Sequence, residues 1–316
     1  MIWYAVREIA EKGRDPEWWR GRFLDRVARP YFERRRRSDD PLIPDADWDT
    51  LLLLDACRYD LFEKTATELP GNLSSRTSHD SATPGYIAEN FAGGEFHDIV
   101  YVTSNPYVNT KLPDDTFHEV VSVWRDGWDD DLGVVPPSAM LEATLSAVEK
   151  YENKRILAHF SQPHVPFVGE VRLGERNVSS IREEALGNER PDPDDREPTP
   201  FEQLARGDVN REAVWDAYQS NLEYVLPIVE EMLESLGGRT VVTSDHGNAL
   251  GEFATPFPVR VYGHPRGIRI PSLVTVPWHV YETGPRPETR EDPPTQRCST
   301  TEDEVTERLR SLGYKQ

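Results

Sequence analysis

Val241-Val242-Thr243-Ser244-Asp245-His246-Gly247-Asn248-Ala249-Leu250-Gly251-Glu252 is the stretch on which the reading of this chain turns. A β-branched run leads into an adjacent acid and imidazole, and a glycine follows where the backbone must turn sharply away from the strand. Open α/β sheets collect ligands at the carboxyl ends of their strands, and a carboxylate oxygen beside an imidazole nitrogen suits zinc or manganese. The plain alternative is a strand-to-turn corner in which Asp245 caps the next segment and His246 is merely exposed. Two residues do not decide between these readings, so partners must come from elsewhere in the chain.

Working outward, residues 210 to 236 place Val214, Tyr218, Leu222, Val225, Ile228, Val229 and Leu233 at helical spacing, with Pro227 as an expected kink. That helix runs straight into the Asp245 strand, as a crossover connection does. Far upstream, Thr50 to Asp60 (TLLLLDACRYD) opens with the continuous apolar run of a parallel strand covered on both faces. Asp55 falls where that strand ends. An acid there is costly unless it is ligated or hydrogen-bonded, which makes Asp55 a candidate metal ligand; its plainer role is to cap a helix starting near Arg58. Arg58 is a candidate contact for an anionic substrate, Asp60 orients it or caps the helix, and Cys57 reads as a small buried residue.

Between these strands, Ser78 to Phe91 (SHDSATPGYIAENF) sets hydroxyls and a proline before a helical pattern. A hydroxyl at a helix N-terminus stands where free N–H groups and the helix dipole stabilise phosphate or sulfate, although a simple Ser/Thr cap has the same sequence. Phe96 to Asn105 reads as a further strand and Ser138 to Tyr151 as an amphipathic helix, while Tyr107 to Pro137, with Trp124 and Trp128 among aspartates, reads as a solvated loop patch. The strand Arg155 to Phe160 delivers His159 and, five residues on, His164, a pair that suits a second metal or a phosphate clamp. For His159 the alternative is a hydrogen-bonded histidine at the strand end. After the central motif, His264 lies in Tyr262-Gly263-His264-Pro265, Ile270 to Trp278 returns to strand, and His279 reads as structural.

The flanks differ in character. Residues 1 to 47 form an expected basic, amphipathic helical extension and linker, with Ile2, Trp3, Val6, Ile9, Trp18, Trp19, Phe23, Leu24 and Val27 at helical spacing and Arg34 to Arg37 closing the helical part. Packing on the main domain is the favoured reading, because acids are interleaved with the arginines; peripheral membrane contact is the alternative. Residues 48 to 316 are expected to form one catalytic domain, with a mobile insertion over about 169 to 208 that contains PDPDDREPTP, and with a terminal helix over Val305 to Tyr314.

A net charge of −20 and a pI near 4.8 argue against nucleic acid as the partner of the whole surface. Lysine occurs only at Lys12, Lys64, Lys111, Lys150, Lys154 and Lys315, and this low lysine with abundant acid matches adaptation to high salt. Cys57 and Cys298 offer neither a disulfide framework nor a CxxC zinc pair, and no secretory signal or membrane span is read. A soluble cytoplasmic protein is therefore expected, peripheral to the inner membrane face if the alternative reading of the extension holds.

Taken together, LLLLDACRYD, DSATPGY, HFSQPHVPF, VVTSDHGNALGE, YGHPRGIRIPSLVTVPW and VTERLRSLGY resemble the alkaline phosphatase superfamily, in particular its small sulfatase-like hydrolases of halophilic archaeal type. The resemblance runs over about residues 50 to 314. It implies an α/β fold, a mostly parallel central sheet with helices on both faces. It further implies one or two divalent ions, zinc or manganese, held by Asp55, Asp245 and His246 and by His159, His164 and His264, the last two also contacting substrate. The nucleophile of that superfamily sits at a helix start, which points to Ser81 first and Thr83 as its rival, with Arg58 as a further anion contact. The expected activity is hydrolysis of phosphate mono- or diesters through a covalent phospho-Ser/Thr intermediate. Sulfate-ester hydrolysis, transfer of a phospho-group to lipid or glycan alcohols, and a catalytically dead metal-binding protein are the alternatives. Against sulfatase chemistry, the chain has no Cys/Ser-x-Pro-Ser-Arg run and carries His246 where sulfatases usually have Asn.

Overall fold

The computed structural model describes residues 12–35, 38–174, 180–186 and 197–295. The terminal helix expected over Val305 to Tyr314, Cys298, Arg36, Arg37, the first apolar residues of the extension and most of the PDPDDREPTP run lie outside them. Nine strands are described: β1 (Thr50–Asp55), β2 (Asn72–Thr77), β3 (Phe96–Thr103), β4 (Phe117–Ser122), β5 (Arg155–Pro163), β6 (Gly238–Ser244), β7 (Ala249–Phe253), β8 (Arg260–Gly263) and β9 (Thr275–Thr283). Seven of them build the central sheet in the order β2-β9-β6-β1-β5-β3-β4, and β7 and β8 form a separate hairpin. β6, β1, β5, β3 and β4 run parallel, while β9 is antiparallel to both of its neighbours.

β1 is buried along its whole length, as a continuous Leu run requires at the centre of a sheet covered on both faces. Alternate leucines serve opposite layers. Leu52 and Leu54 join a core with the helix Arg211–Ser235, through Val214, Tyr218, Leu222 and Val225, whereas Leu51 and Leu53 face Tyr86, Ile87 and Phe91 of the helix Thr83–Phe91. A third apolar cluster joins Leu24, Ala28 and Phe32 of the N-terminal helical segment to Ala249, Ala254, Val261, Ile268 and Leu273, so this segment packs on the β7–β8 side.

Three local expectations need correction. Tyr107 to Pro137 is not a loop patch: it holds the helix Tyr107–Lys111, β4 and the short helix Val123–Asp126, and Trp124 is fully buried. Ile270 to Trp278 is not all strand, because Pro271–Val274 forms a helical turn before β9. At the C-terminal end of the expected insertion, Thr199 and Glu202 form a reciprocal capping box on the helix Pro200–Arg206, and Phe201 is inserted into the core. Gly247 also serves differently from a turn glycine. A Cβ there would lie 2.3 Å from the Ser272 carbonyl oxygen, so the need is for close backbone approach.

Candidate active site

The ends of β1 and β6 converge on one buried cluster, with β5 beside them. Leu53 of β1 pairs with His159 on one side and with Thr243 on the other, which sets Asp55, His159 and Asp245 around a common point. One ligand atom from each lies within 4.8 Å of the other two. His246 Nε2 stands 3.4 Å from Asp245 Oδ2 and 3.9 Å from Asp55 Oδ1, and His159 Nε2 stands 3.9 Å from Asp55 Oδ2.

The turn after β1 is what holds Asp55 in place. Ala56 has φ 60, in the left-handed region that costs a residue with a Cβ roughly 1 kcal/mol. Bonds to β6 and the long helix offset that cost: Ala56 N–H donates to Asp245 Oδ1 at 2.9 Å, Cys57 N–H to Ser244 Oγ at 2.8 Å, and the Tyr218 hydroxyl donates to the Ala56 carbonyl. The turn thereby presses one carboxylate against another. Burial and the Asp245 charge raise the Asp55 pKa well above the ordinary value. Burial also acts on Asp245, but His246, His159, the Ala56 N–H and the Thr83 hydroxyl outweigh it and leave Asp245 below the ordinary value.

Two features of this cluster fit a divalent cation. Asp55 Oδ1 and His159 Nε2 are buried and lack a hydrogen-bond partner among the described residues, although both lie where the carboxylates and imidazoles converge. His159 is also kept neutral, as a ligand must be: burial brings it down to about 4, and its Nδ1 is engaged with Tyr101 Oη, 3.1 Å away, which leaves Nε2 toward the acids.

Thr83 is the hydroxyl that enters this cluster. Its Oγ1 donates to Asp245 Oδ2 at 2.7 Å and lies 3.2 Å from His246 Nε2, at the first residue of the helix Thr83–Phe91. Ser81, the residue placed first from the sequence, is directed elsewhere, and its Oγ donates to the Pro265 carbonyl at 2.9 Å. The cause is a turn centred on Asp80. Its Oδ1 accepts from the N–H groups of Ser81 at 2.7 Å and Ala82 at 3.2 Å, and its carboxyl packs so tightly on Gly85 that a Cβ there would sit 2.2 Å from Cγ.

His164 and His264 form a second group beside the first. Their Nε2 atoms are 3.0 Å apart, and the His264 ring stacks on His246 with centroids 4.5 Å apart. His164 Nδ1 lies 2.7 Å from the Val165 carbonyl and so carries its proton, which makes His264 Nε2 the donor between the rings. His264 Nδ1 is then an acceptor without a partner among the described residues. Desolvation brings His164 to about 4, and desolvation together with its two neighbouring imidazoles holds His264 well below its ordinary value.

Arg58 does not point an open guanidinium at this site. Asp60 takes it in a two-point contact at 2.7 and 2.6 Å, Glu252 at 2.8 Å and the Asn248 carbonyl at 3.0 Å. Glu252, to which the sequence reading gave no role, thus ties β7 to the end of β1. Its partner lies 194 residues away in the chain, and no local pattern announces such a pair.

No family model matches the chain, and no curated protein matches it. Among solved structures, the chain is similar to the soluble domain of lipooligosaccharide phosphoethanolamine transferase A from Neisseria meningitidis, with TM-score 0.42, 13% identity, and 73% of this chain and 75% of that one covered. It is similar to the C-terminal periplasmic domain of phosphoethanolamine transferase EptC from Campylobacter jejuni, with TM-score 0.43, 14% identity, and 73% and 78% covered. It is also similar to a protein in the alkaline phosphatase superfamily from Vibrio parahaemolyticus, with TM-score 0.35, 11% identity, and 86% and 71% covered.

Proposed function

We propose that this chain is a metal-dependent hydrolase of phosphate mono- or diesters that works through a covalent phosphothreonine on Thr83. The observation that carries this reading is the Thr83 hydroxyl, which donates to Asp245 and lies 3.2 Å from His246 Nε2 at a helix start. Asp55, Asp245, His246 and His159 would hold zinc or manganese beside it, with His164 and His264 available to a second ion. When bound, such an ion supplies positive charge that favours the deprotonated hydroxyl and neutralises phosphoryl oxygens.

The chain's own groups divide the rest of the work. Asp245 accepts the Thr83 proton along the hydrogen bond already present, and the freed oxygen forms the bond to phosphorus as the ester oxygen leaves with its electron pair. His246 donates Nδ1–H to the Gly247 carbonyl at 2.9 Å, which keeps its Nε2 lone pair toward Thr83. The N-terminus of a nine-residue helix then carries the phosphoryl group, where its dipole favours negative charge. His264 Nδ1, an acceptor without a partner among the described residues, would serve a second ion. Water then attacks phosphorus, one of its protons going to the departed alkoxide and the other staying on the released phosphate, while Asp245 returns its proton to the Thr83 oxygen.

The test is a rapid acid quench of the zinc- or manganese-loaded protein during turnover of an aryl phosphate, followed by peptide mass spectrometry. Phosphate on Thr83, absent from Thr83→Ala, is the expected result. Phosphate on Ser81, or turnover undiminished in Thr83→Ala, overturns the assignment. Running an aryl sulfate in parallel separates the two ester classes.

A further inference from the structure

A cavity of about 290 Å³ opens beside the histidine pair, and Arg20, His164, Phe201, Ala205, Tyr262 and His264 lie along it. Its walls come from three separate parts of the chain. Tyr262 belongs to β8, Phe201 and Ala205 to the helix Pro200–Arg206, and Arg20 to the N-terminal helix Pro16–Phe23. That last helix is fixed in place by the buried Leu24, Ala28 and Phe32 and by the edge contact of Phe23 with Phe257, so Arg20 is delivered by a docked element.

The charges around the cavity balance in number, but Arg20 is held only loosely. Arg20 lies over the Tyr262 ring at 4.8 Å, and its ion pair with Glu17 is long, 3.8 Å, while Glu17 also meets Arg206 at 3.3 Å. Glu202, the acid on the cavity wall, has Oε2 taken by the Thr199 N–H at 2.7 Å. A flat apolar wall with one guanidinium above an aromatic ring, and imidazoles at the inner end, is the layout of a pocket that orients a ligand by one charged contact. The volume is near the lower end for small-molecule pockets, roughly 300 Å³, which admits a single ring or a short chain.

We propose that this cavity receives the alcohol portion of the substrate, that this portion is a compact apolar group bearing one anionic substituent, and that Arg20 determines the specificity. The inference rests on the phosphoryl-transfer reading of Thr83 and the histidine pair, which places the ester oxygen at the inner end of the cavity. The N-terminal helical segment is then part of the substrate site.

Binding and turnover separate the two ideas. Isothermal titration of the full chain with 4-hydroxybenzoate and with the neutral 4-hydroxybenzamide measures the cavity without chemistry. The acid is expected to bind roughly ten- to a hundredfold more tightly than the amide, the range for a hydrogen bond to a charged group. Arg20→Gln removes that difference, Arg20→Lys keeps part of it, and Arg26→Gln, exposed and outside the cavity, leaves it intact. Equal binding of acid and amide by the parent chain overturns the proposal, as does a difference that persists in Arg20→Gln. Turnover of the corresponding 4-carboxyphenyl and 4-carbamoylphenyl phosphates reports on the chemistry: neither hydrolysed, with the binding difference present, means that the phosphoryl-transfer reading fails and the subsite stands. Both hydrolysed at equal kcat/KM means the reverse.

Discussion

Ser81 and Thr83 are two positions apart, carry the same functional group, and have opposite fates. Thr83→Ala is expected to lower kcat at least roughly a thousandfold, because it removes the attacking oxygen, whereas Thr83→Ser keeps that oxygen and most of the activity. Ser81→Ala loses the bond to the Pro265 carbonyl, about 1 kcal/mol, with kcat changed only a few-fold. Steady-state kinetics with thermal unfolding on the three variants checks this, and an inactive Ser81→Ala that folds normally sinks the assignment. Asp55 and Asp245 stood out as candidates in the sequence because each closes an apolar strand whose burial leaves a polar residue needing a partner, whereas His164 and His264 were singled out through the resemblance. The choice between hydroxyls was not legible, because it depends on Asp80 bending the chain over Gly85, and spacing carries no information about that turn. The surroundings of Arg58 were legible only in part for a related reason. Asp60 is visible two residues away, but Glu252, which closes the second side of the guanidinium, reaches it only through the fold.

Elements were read with more success where they bury a whole face. β1, β6 and the helix Arg211–Ser235 follow from their apolar patterns, since a fully buried strand and a long amphipathic helix have few alternatives. β4 was lost because Glu119 and His118 interrupt it, and β9 was placed early because Pro271 starts a helical turn that apolar content alone reads as strand. The N-terminal helical segment is the element with the clearest energetic test. Phe32 is 6% exposed and packs in the cluster with Ile268, Ile270 and Val274, so Phe32→Ala removes buried aromatic surface and leaves a void. A loss of roughly 2–4 kcal/mol is expected from urea unfolding, with the denaturant slope unchanged. A change below the error of that measurement would mean that the segment is not docked through this cluster.

At the scale of the whole molecule, the site is a stability problem that a cation would solve. Asp55 and Asp245 meet in the interior, and the folded metal-free chain holds a proton on Asp55 at pH values where the unfolded chain has released it. That contribution is fully present below the unfolded pKa and is lost as pH rises through the raised folded value. His159 acts in the opposite direction. Its folded pKa is about 4 against an ordinary 6.5, so the unfolded chain alone takes up the proton between these values, and stability falls as pH falls from 6.5 to 4, by about 1.4 kcal/mol per pH unit. A divalent ion would reverse the first loss, because it binds the ionised carboxylates and displaces the Asp55 proton, and it would hold His159 in its neutral form. The rise in Tm produced by a fixed excess of free zinc is therefore expected to grow as pH rises through the raised Asp55 value. In Asp55→Asn the metal-free chain is expected to lose its alkaline-side decline, and most of the zinc-dependent rise with it, since the amide carries no charge to repel Asp245 or to hold the ion. Calorimetry of both proteins across that range decides the matter: a zinc effect independent of pH, or one of equal size in Asp55→Asn, would show that the ion is held somewhere other than between these two acids.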